Sequence, residues 1–190
     1  MTMHEKTPNL DPSAPLVVDT RKLPRSPGAH QELRLTVPAL DGLGPGLIGV
    51  PDDAELLLEL SLTSVTEGVL ASGTVTAPVI GECGRCLRPI EDTLVVDVQE
   101  LYAYPDSATD ETTEEDEVMR LQDDLIDLEP PVRDAVVLGL PSNPLCRPDC
   151  PGLCPDCGRA WDELPADHRH ETLDPRWAEL SKLLDQDRSE

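Results

Sequence analysis

ELLLELSLTSVTEGVLASGTVTAPVIGECGRCL, residues 55–87, is the stretch that decides the fold. Leu56, Leu58, Leu60 and Leu62 fall on one face, with Glu59, Ser61 and Thr63 on the other. A period of two sustained over this length is the pattern of a half-buried strand. Thr66-Glu67-Gly68 supplies a turn, and residues 69–80 return with Val75, Ala77 and Val79 on one side. The pattern predicts a long antiparallel hairpin. It delivers Cys83 and Cys86 just past the end of its second strand.

Outward from the hairpin the β signal continues. Residues 15–23 (PLVVDTRKL) read as a short strand, and residues 32–37 alternate with Leu33, Leu35 and Val37 inward. A Gly/Pro loop fills residues 41–51, and TLVVDVQELYAY at 93–104 is the next strand. Further on, Pro130-Pro131 stand where a helix starts, because proline fits the first helical turn. Val132, Ala135 and Val136 give that helix an apolar face to cover the sheet, and Pro141 ends it. Asp174-Pro175 caps a last helix with Trp177, Leu180, Leu183 and Leu184 on one face. The expected class is α+β: a mostly antiparallel sheet of about five strands with short helices and one or two Cys/His zinc-type knuckles.

The expected organisation has four parts: a disordered leader at 1–14, the β region with its C-x-x-C turn at 15–104, an acidic linker at 105–129, and a helix, Cys/His-rich metal segment and C-terminal helix at 130–190. The leader and the acidic stretch hold too little apolar surface to order themselves. From 106 to 129 only Arg120 is basic among eleven Asp/Glu. That stretch reads as a solvated loop or as a docking strip for a basic partner.

The chain has 15 Lys+Arg against 38 Asp+Glu, a formal charge of −23. A protein that grips nucleic acid by its backbone should be basic, since phosphate contacts supply most of the affinity. Aromatic content is 2%, which also argues against a stacking platform for single strands. An acidic chain can still act on a ribonucleoprotein by holding a basic protein. No stretch reaches the roughly 18 apolar residues of a membrane span. MTMHEKTPNL at 1–10 has no basic start followed by an apolar core, so no secretory signal is expected. The expected location is the cytoplasm. In that reducing compartment clustered cysteines read as metal ligands rather than disulfides.

All six cysteines fall in two places: Cys83 and Cys86 in GECGRCL, and Cys146, Cys150, Cys154 and Cys157 in PLCRPDCPGLCPDCG. His168 and His170 follow in DHRHE. A C-x-x-C turn aims two sulfurs at one point, as a tetrahedral zinc ion needs. Eight candidates, six Cys and two His, fit two closed sites of four. Local spacing groups Cys154, Cys157, His168 and His170, leaving Cys83, Cys86, Cys146 and Cys150 as the second set. A rival arrangement pairs the two C-x-x-C turns as a ribbon, Cys83/Cys86 with Cys154/Cys157. DHRHE also reads as a solvated polar turn.

The sequence makes no case for an enzyme or a small-molecule substrate. It has no Gly-rich phosphate loop, no Gly-x-Ser-x-Gly and no His-Glu-x-x-His. A deaminase would place His-x-Glu before Pro-Cys-x-x-Cys, and here the histidines follow it. A thioredoxin-like exchange pair would need a βαβ context, which neither turn has.

Four stretches together resemble a known family: CGRCL at 83–87 with Pro89 after it, DLEP at 127–130 through Leu140-Pro141, PLCRPDCPGLCPDCG at 144–158, and DPRWAEL at 174–180. They are similar to the YceD proteins, also called DUF177, the large ribosomal RNA subunit accumulation proteins. The resemblance covers residues 15–185. It implies a non-catalytic cytosolic factor in ribosome biogenesis, supporting synthesis, processing or stability of 23S rRNA. The implied partner is a ribosomal large-subunit protein or a pre-ribosomal particle. Many members carry C-x-C where this chain has His168-x-His170. Others lack that knuckle yet keep the C-x-R-C turn and a Cys or His near Cys146 and Cys150, a pattern that favours the split drawn from spacing. The alternative reading is a zinc-responsive metal-binding module without a direct ribosomal role.

Overall fold

The computed structural model of the chain describes residues 10–44, 46–105, 107–109 and 118–170. Residues 1–9 of the expected leader, the acidic run at 110–117 and the expected last helix at 174–184 lie outside the described residues. The chain divides into two compact units, Met1–Pro148 and Asp149–Glu190.

The first unit is built from β1 (Val17–Asp19), β2 (His30–Pro38), β3 (Ile48–Gly49), β4 (Glu55–Ser64), β5 (Gly68–Glu82), β6 (Pro89–Ala103), β7 (Met119–Arg120), β8 (Leu125–Asp127) and helix α1 (Glu129–Gly139). Six strands form one sheet in the order β2-β4-β5-β6-β7, with β3 paired to β5. Every pairing in it is antiparallel except β6–β7. The sheet thus has six strands rather than about five. The expected strand at 15–23 is not in it, since β1 pairs with β8 in a separate two-stranded sheet; the two additions, β3 and β7, are two-residue strands, too short for periodicity to register.

The leucine alternation of β4 is realised side chain by side chain. Leu56, Leu58, Leu60 and Leu62 are fully buried, and Val75, Ala77 and Val79 of β5 join them. Truncating one of these leucines to alanine costs about 2–5 kcal/mol, because the layer cannot collapse into the gap. The helix covers this layer. Val132 and Val136 are buried against it, and a Cβ on Gly139 would run into the Val96 side chain of β6. Pro130 and Pro131 occupy the first turn, where no backbone donor is needed. The Asp127 carboxylate accepts from the Glu129 N–H at 2.9 Å.

Part of the segment read as an acidic linker forms strands β7 and β8. Gln122 and Leu125 exchange two backbone hydrogen bonds of 3.0 and 2.8 Å. Between them Asp123 and Asp124 have φ of 52° and 65°. Two consecutive left-handed residues make the tight hairpin turn whose twist matches its strands, and aspartate tolerates that conformation better than most residues. The turn presents β8 to β1 in register from Val17–Asp127 to Asp19–Leu125. Leu121, Leu125, Ile126 and Leu128 are buried, and the Tyr102 hydroxyl donates to the Asp127 carbonyl at 2.6 Å. The apolar residues between the charges therefore close the core.

Among the described residues no helix is long and apolar enough to cross a membrane.

Candidate metal centres

The first C-x-x-C turn is the end of a hairpin rather than an appendage to it. Strand β6, expected to start at 93, starts at Pro89. Glu82 pairs with Pro89 as the outermost step of the β5–β6 ladder, so residues 83–88 are the connection itself. Within it the Cys83 N–H donates to the Arg88 carbonyl at 2.8 Å, and the Leu87 N–H donates to the Cys83 carbonyl at 2.9 Å. These bonds fold the loop back and leave both sulfurs on one side.

The second turn repeats this construction in the second unit. Leu153 bridges Ala160, as Glu82 pairs with Pro89. The Cys154 N–H donates to the Arg159 carbonyl and the Gly158 N–H to the Cys154 carbonyl, both at 2.8 Å. The residue after the second cysteine is left-handed in both turns, Leu87 with φ 58° and Gly158 with φ 68°.

Each turn meets further candidate donors from a later segment. Asn143, Pro144 and Cys146 lie against the first turn. The Gly84 N–H donates to the Pro144 carbonyl at 2.8 Å, and a Cβ on Gly84 would meet the Asn143 side chain. Cys86 and Cys146 place their sulfurs 3.6 Å apart. A covalent bond between sulfurs would need about 2.05 Å, whereas two thiolates 2.3 Å from one tetrahedral ion stand about 3.8 Å apart. In the second turn the Cys157 sulfur lies 3.6 Å from Nε2 of His168. A Cys–zinc–His angle of tetrahedral size sets that separation at about 3.6 Å. His168 is held by its backbone N–H to Pro165 at 2.9 Å and by edge contact of its ring with Trp161 and His170.

The donor atoms of Cys83, Cys86, Cys146 and Cys150 all lie within 4.8 Å of one another, as do those of Cys154, Cys157, His168 and His170. The grouping is the one that follows local spacing, not the ribbon of two C-x-x-C turns. Three of the first four are buried, Cys146 being exposed; of the second four only Cys154 is buried. The residues fit a closed tetrahedral ion in number and in donor chemistry, with no carboxylate among them and no fifth donor.

The electrostatics favour thiolates. The backbone N–H of Cys146, assisted by those of Arg85 and Cys86, pulls the Cys83 thiol down to about 6 against the effect of its burial. Burial pushes the Cys154 thiol up, but the N–H groups of Cys157 and Asp156 outweigh it and leave it below the ordinary thiol value. A thiolate is the form that ligates a cation, and both shifts run toward it. Sequence reasoning named all eight of these candidate donors. It missed Trp161 beside His168 and Leu87 in the first turn; comparing the two turns, where Leu87 occupies the place of Gly158, would have flagged the latter.

Fold and sites define a sheet protein whose β-hairpin ends in a cysteine knuckle and whose second unit carries a Cys/His knuckle. The chain belongs to the family described as Large ribosomal RNA subunit accumulation protein YceD, which it matches over residues 71–184. It is 53% identical over 181 residues to an uncharacterized protein of Mycobacterium tuberculosis (strain ATCC 25618 / H37Rv), covering 95% of this chain and 87% of the relative. An uncharacterized protein of Mycobacterium leprae (strain TN) is 46% identical over 171 residues, 90% of this chain and 78% of the relative. The uncharacterized protein YlbN of Bacillus subtilis (strain 168) is 30% identical over 115 residues, 60% of this chain and 65% of the relative. No solved structure matches.

Proposed function

We propose that the protein is a non-catalytic, zinc-stapled factor of the cytoplasm that supports accumulation of 23S rRNA by binding a basic ribosomal large-subunit protein, alone or on a pre-ribosomal particle. The observation that carries this reading is the pair of closed four-donor sets in a chain of the YceD family. Four protein donors leave no open position for water or substrate, which is the arrangement of a structural ion. Each set takes one zinc ion. The first fastens the end of the β5–β6 hairpin to the segment at 144–146. The charge of −23 supplies the attraction for a basic partner.

Two measurements test it. Depleting the protein should lower mature 23S rRNA relative to 16S rRNA; an unchanged ratio would sink the ribosomal role. A pull-down at low salt should bring down large-subunit proteins that fall away as salt screens the attraction.

A second reading has its own support. Three of the four donors in the Cys154/Cys157/His168/His170 set are exposed or half-buried, as in a site that exchanges its ion. A zinc-responsive module would then use this knuckle. Unchanged zinc stoichiometry in the His168→Ala, His170→Ala double variant removes it.

A further inference from the structure

Leu87 is in the wrong conformation for its side chain. At the equivalent place in the second knuckle the chain has Gly158, and a glycine adopts positive φ without strain. A leucine there costs about 1 kcal/mol or more, since its Cβ crowds the following carbonyl. Burial does not offset that cost, because Leu87 is 56% exposed.

Leu87 is not alone. Among the described residues six large hydrophobic side chains are exposed, and three of them stand at this one end of the β5–β6 ladder: Leu47 at 47%, Ile80 at 51% and Leu87. Ile80 pairs with Glu91 two steps before the knuckle, and the Leu47 carbonyl accepts from the Glu82 N–H at 2.8 Å. A shallow groove at this end of β5 is lined by Leu47, Ile80, Glu82, Ile90 and Glu91. On the far side of Ile80 a second depression is lined by Asp52 and Asp53. Asp19, Glu59, Asp124 and Glu129 elsewhere each hold an arginine. Asp52, Asp53, Glu82 and Glu91 have no side-chain hydrogen bond or ion pair among the described residues. The cations of the turn, Arg85 and Arg88, are engaged within the chain.

We propose that this end of the ladder is a docking surface for a lysine- and arginine-rich segment of a partner protein. An apolar side chain of that segment fills the groove beside Ile80, packs with Leu47 and Leu87, and its cations meet the free carboxylates. A central apolar anchor inside a charged rim is how protein interfaces divide affinity from steering. Nucleic acid is disfavoured because its phosphates would face four carboxylates, and a second copy of this chain because it would bring the same charges. The inference rests on the proposed function for the basic nature of the partner and adds where it binds.

The test uses the full chain loaded with zinc and, as probe, purified proteins stripped from large ribosomal subunits by salt. The wild type should capture one or a few of them. Ile80→Asp and Leu47→Asp should each weaken that complex at least tenfold, while Leu138→Asp, at an exposed site on α1, should leave it unchanged. Leu87→Gly should weaken it several-fold while the thermal midpoint holds or rises, which separates loss of contact from loss of fold. Equal weakening by Leu138→Asp, or none by Ile80→Asp with zinc content intact, would overturn the surface and leave the proposed function standing. Failure of the wild type to capture any large-subunit protein would count against the proposed function instead. The surface is then read by NMR with a synthetic peptide of alternating lysine and leucine. Shifts confined to residues 47–53 and 80–91 support it; shifts elsewhere, none at all, capture of 23S rRNA at this face, or a dimer formed through it would overturn it.

Discussion

The two knuckles share one backbone and differ in everything attached to it. Residues 82–89 (ECGRCLRP) and 153–160 (LCPDCGRA) form the same pair of turn hydrogen bonds, flanked by the same antiparallel pairing. The first ends a ladder of fifteen residue pairs and draws its next sulfur from beyond helix α1. The second stands on a single bridge and takes its histidines from within about a dozen residues. A metal in the first therefore closes a loop of sixty residues between Cys86 and Cys146, whereas a metal in the second closes a short one. Closing the longer loop removes more freedom from the unfolded chain. With a metal bound, the same local motif would staple the sheet in one place and form the core of a small unit in the other.

The largest effects should come from breaking the staple. Cys86→Ser removes a buried donor and leaves three others unmatched. It should lower the unfolding free energy of the sheet unit by about 4 kcal/mol or more, since metal binding is folding free energy in such sites. Cys157→Ser should remove one equivalent of zinc and leave amide exchange of β4 and β5 as it was. If the two substitutions unfold the sheet equally, the contrast between the knuckles is wrong.

Next in size is the rate of metal loss. The first set has one exposed donor and the second has one buried donor. A chelator reaches an ion through exposed donors and through local opening. Under EDTA the Cys/His set should therefore lose its ion first, by roughly tenfold in rate. Cobalt substitution gives each set its own absorption band, so the order is read directly. Release of the all-cysteine ion first would overturn the assignment of staple and exchangeable site.

The thiols sharpen the contrast in the metal-free protein. Cys83 is drawn down to about 6 from an ordinary 9.0. A depressed pKa means that the unfolded chain binds more protons than the fold between those two values. The contribution to stability is then complete above the ordinary thiol pKa and is lost as pH falls from about 9 through about 6. Urea unfolding of the metal-free protein across that range should show it. Cys83→Ser should flatten the profile; an unchanged slope would show that the Cys146 N–H does not hold a thiolate.

Much of this is legible in the sequence. Period-two leucines fixed β4 and its partner because burial on one face forces alternation. The two groups of candidate donors were legible because C-x-x-C turns are local, and local geometry is what spacing encodes. What escaped was non-local or conformational. The pairing of β1 with β8 joins residues more than a hundred positions apart, and the Asp123-Asp124 turn hid among other acids, whose abundance disguised its left-handed backbone. Strand β6 begins at Pro89, ahead of its apolar pattern, because the charged pair Glu91-Asp92 interrupts that pattern at an exposed hairpin end.

The smallest effect is the most discriminating, because the comparison makes it change sign. Leu87→Gly exchanges a strained leucine for the residue the second knuckle uses at that place. It should raise the stability of the metal-loaded sheet unit by about 1 kcal/mol, less whatever flexibility glycine adds to the unfolded chain. Gly158→Leu is the reverse exchange, and a Cβ at Gly158 meets nothing within 4 Å. Space does not forbid the larger residue, so its cost of about 1 kcal/mol is that of the left-handed backbone alone. Thermal unfolding of the two variants should move in opposite directions. If both destabilise, Leu87 makes contacts within the fold that repay its conformation, and its exposure is no longer a reason to place it in an interface. If Leu87→Gly stabilises, the chain has kept a residue that weakens its own fold, and that residue is explained by something outside the fold.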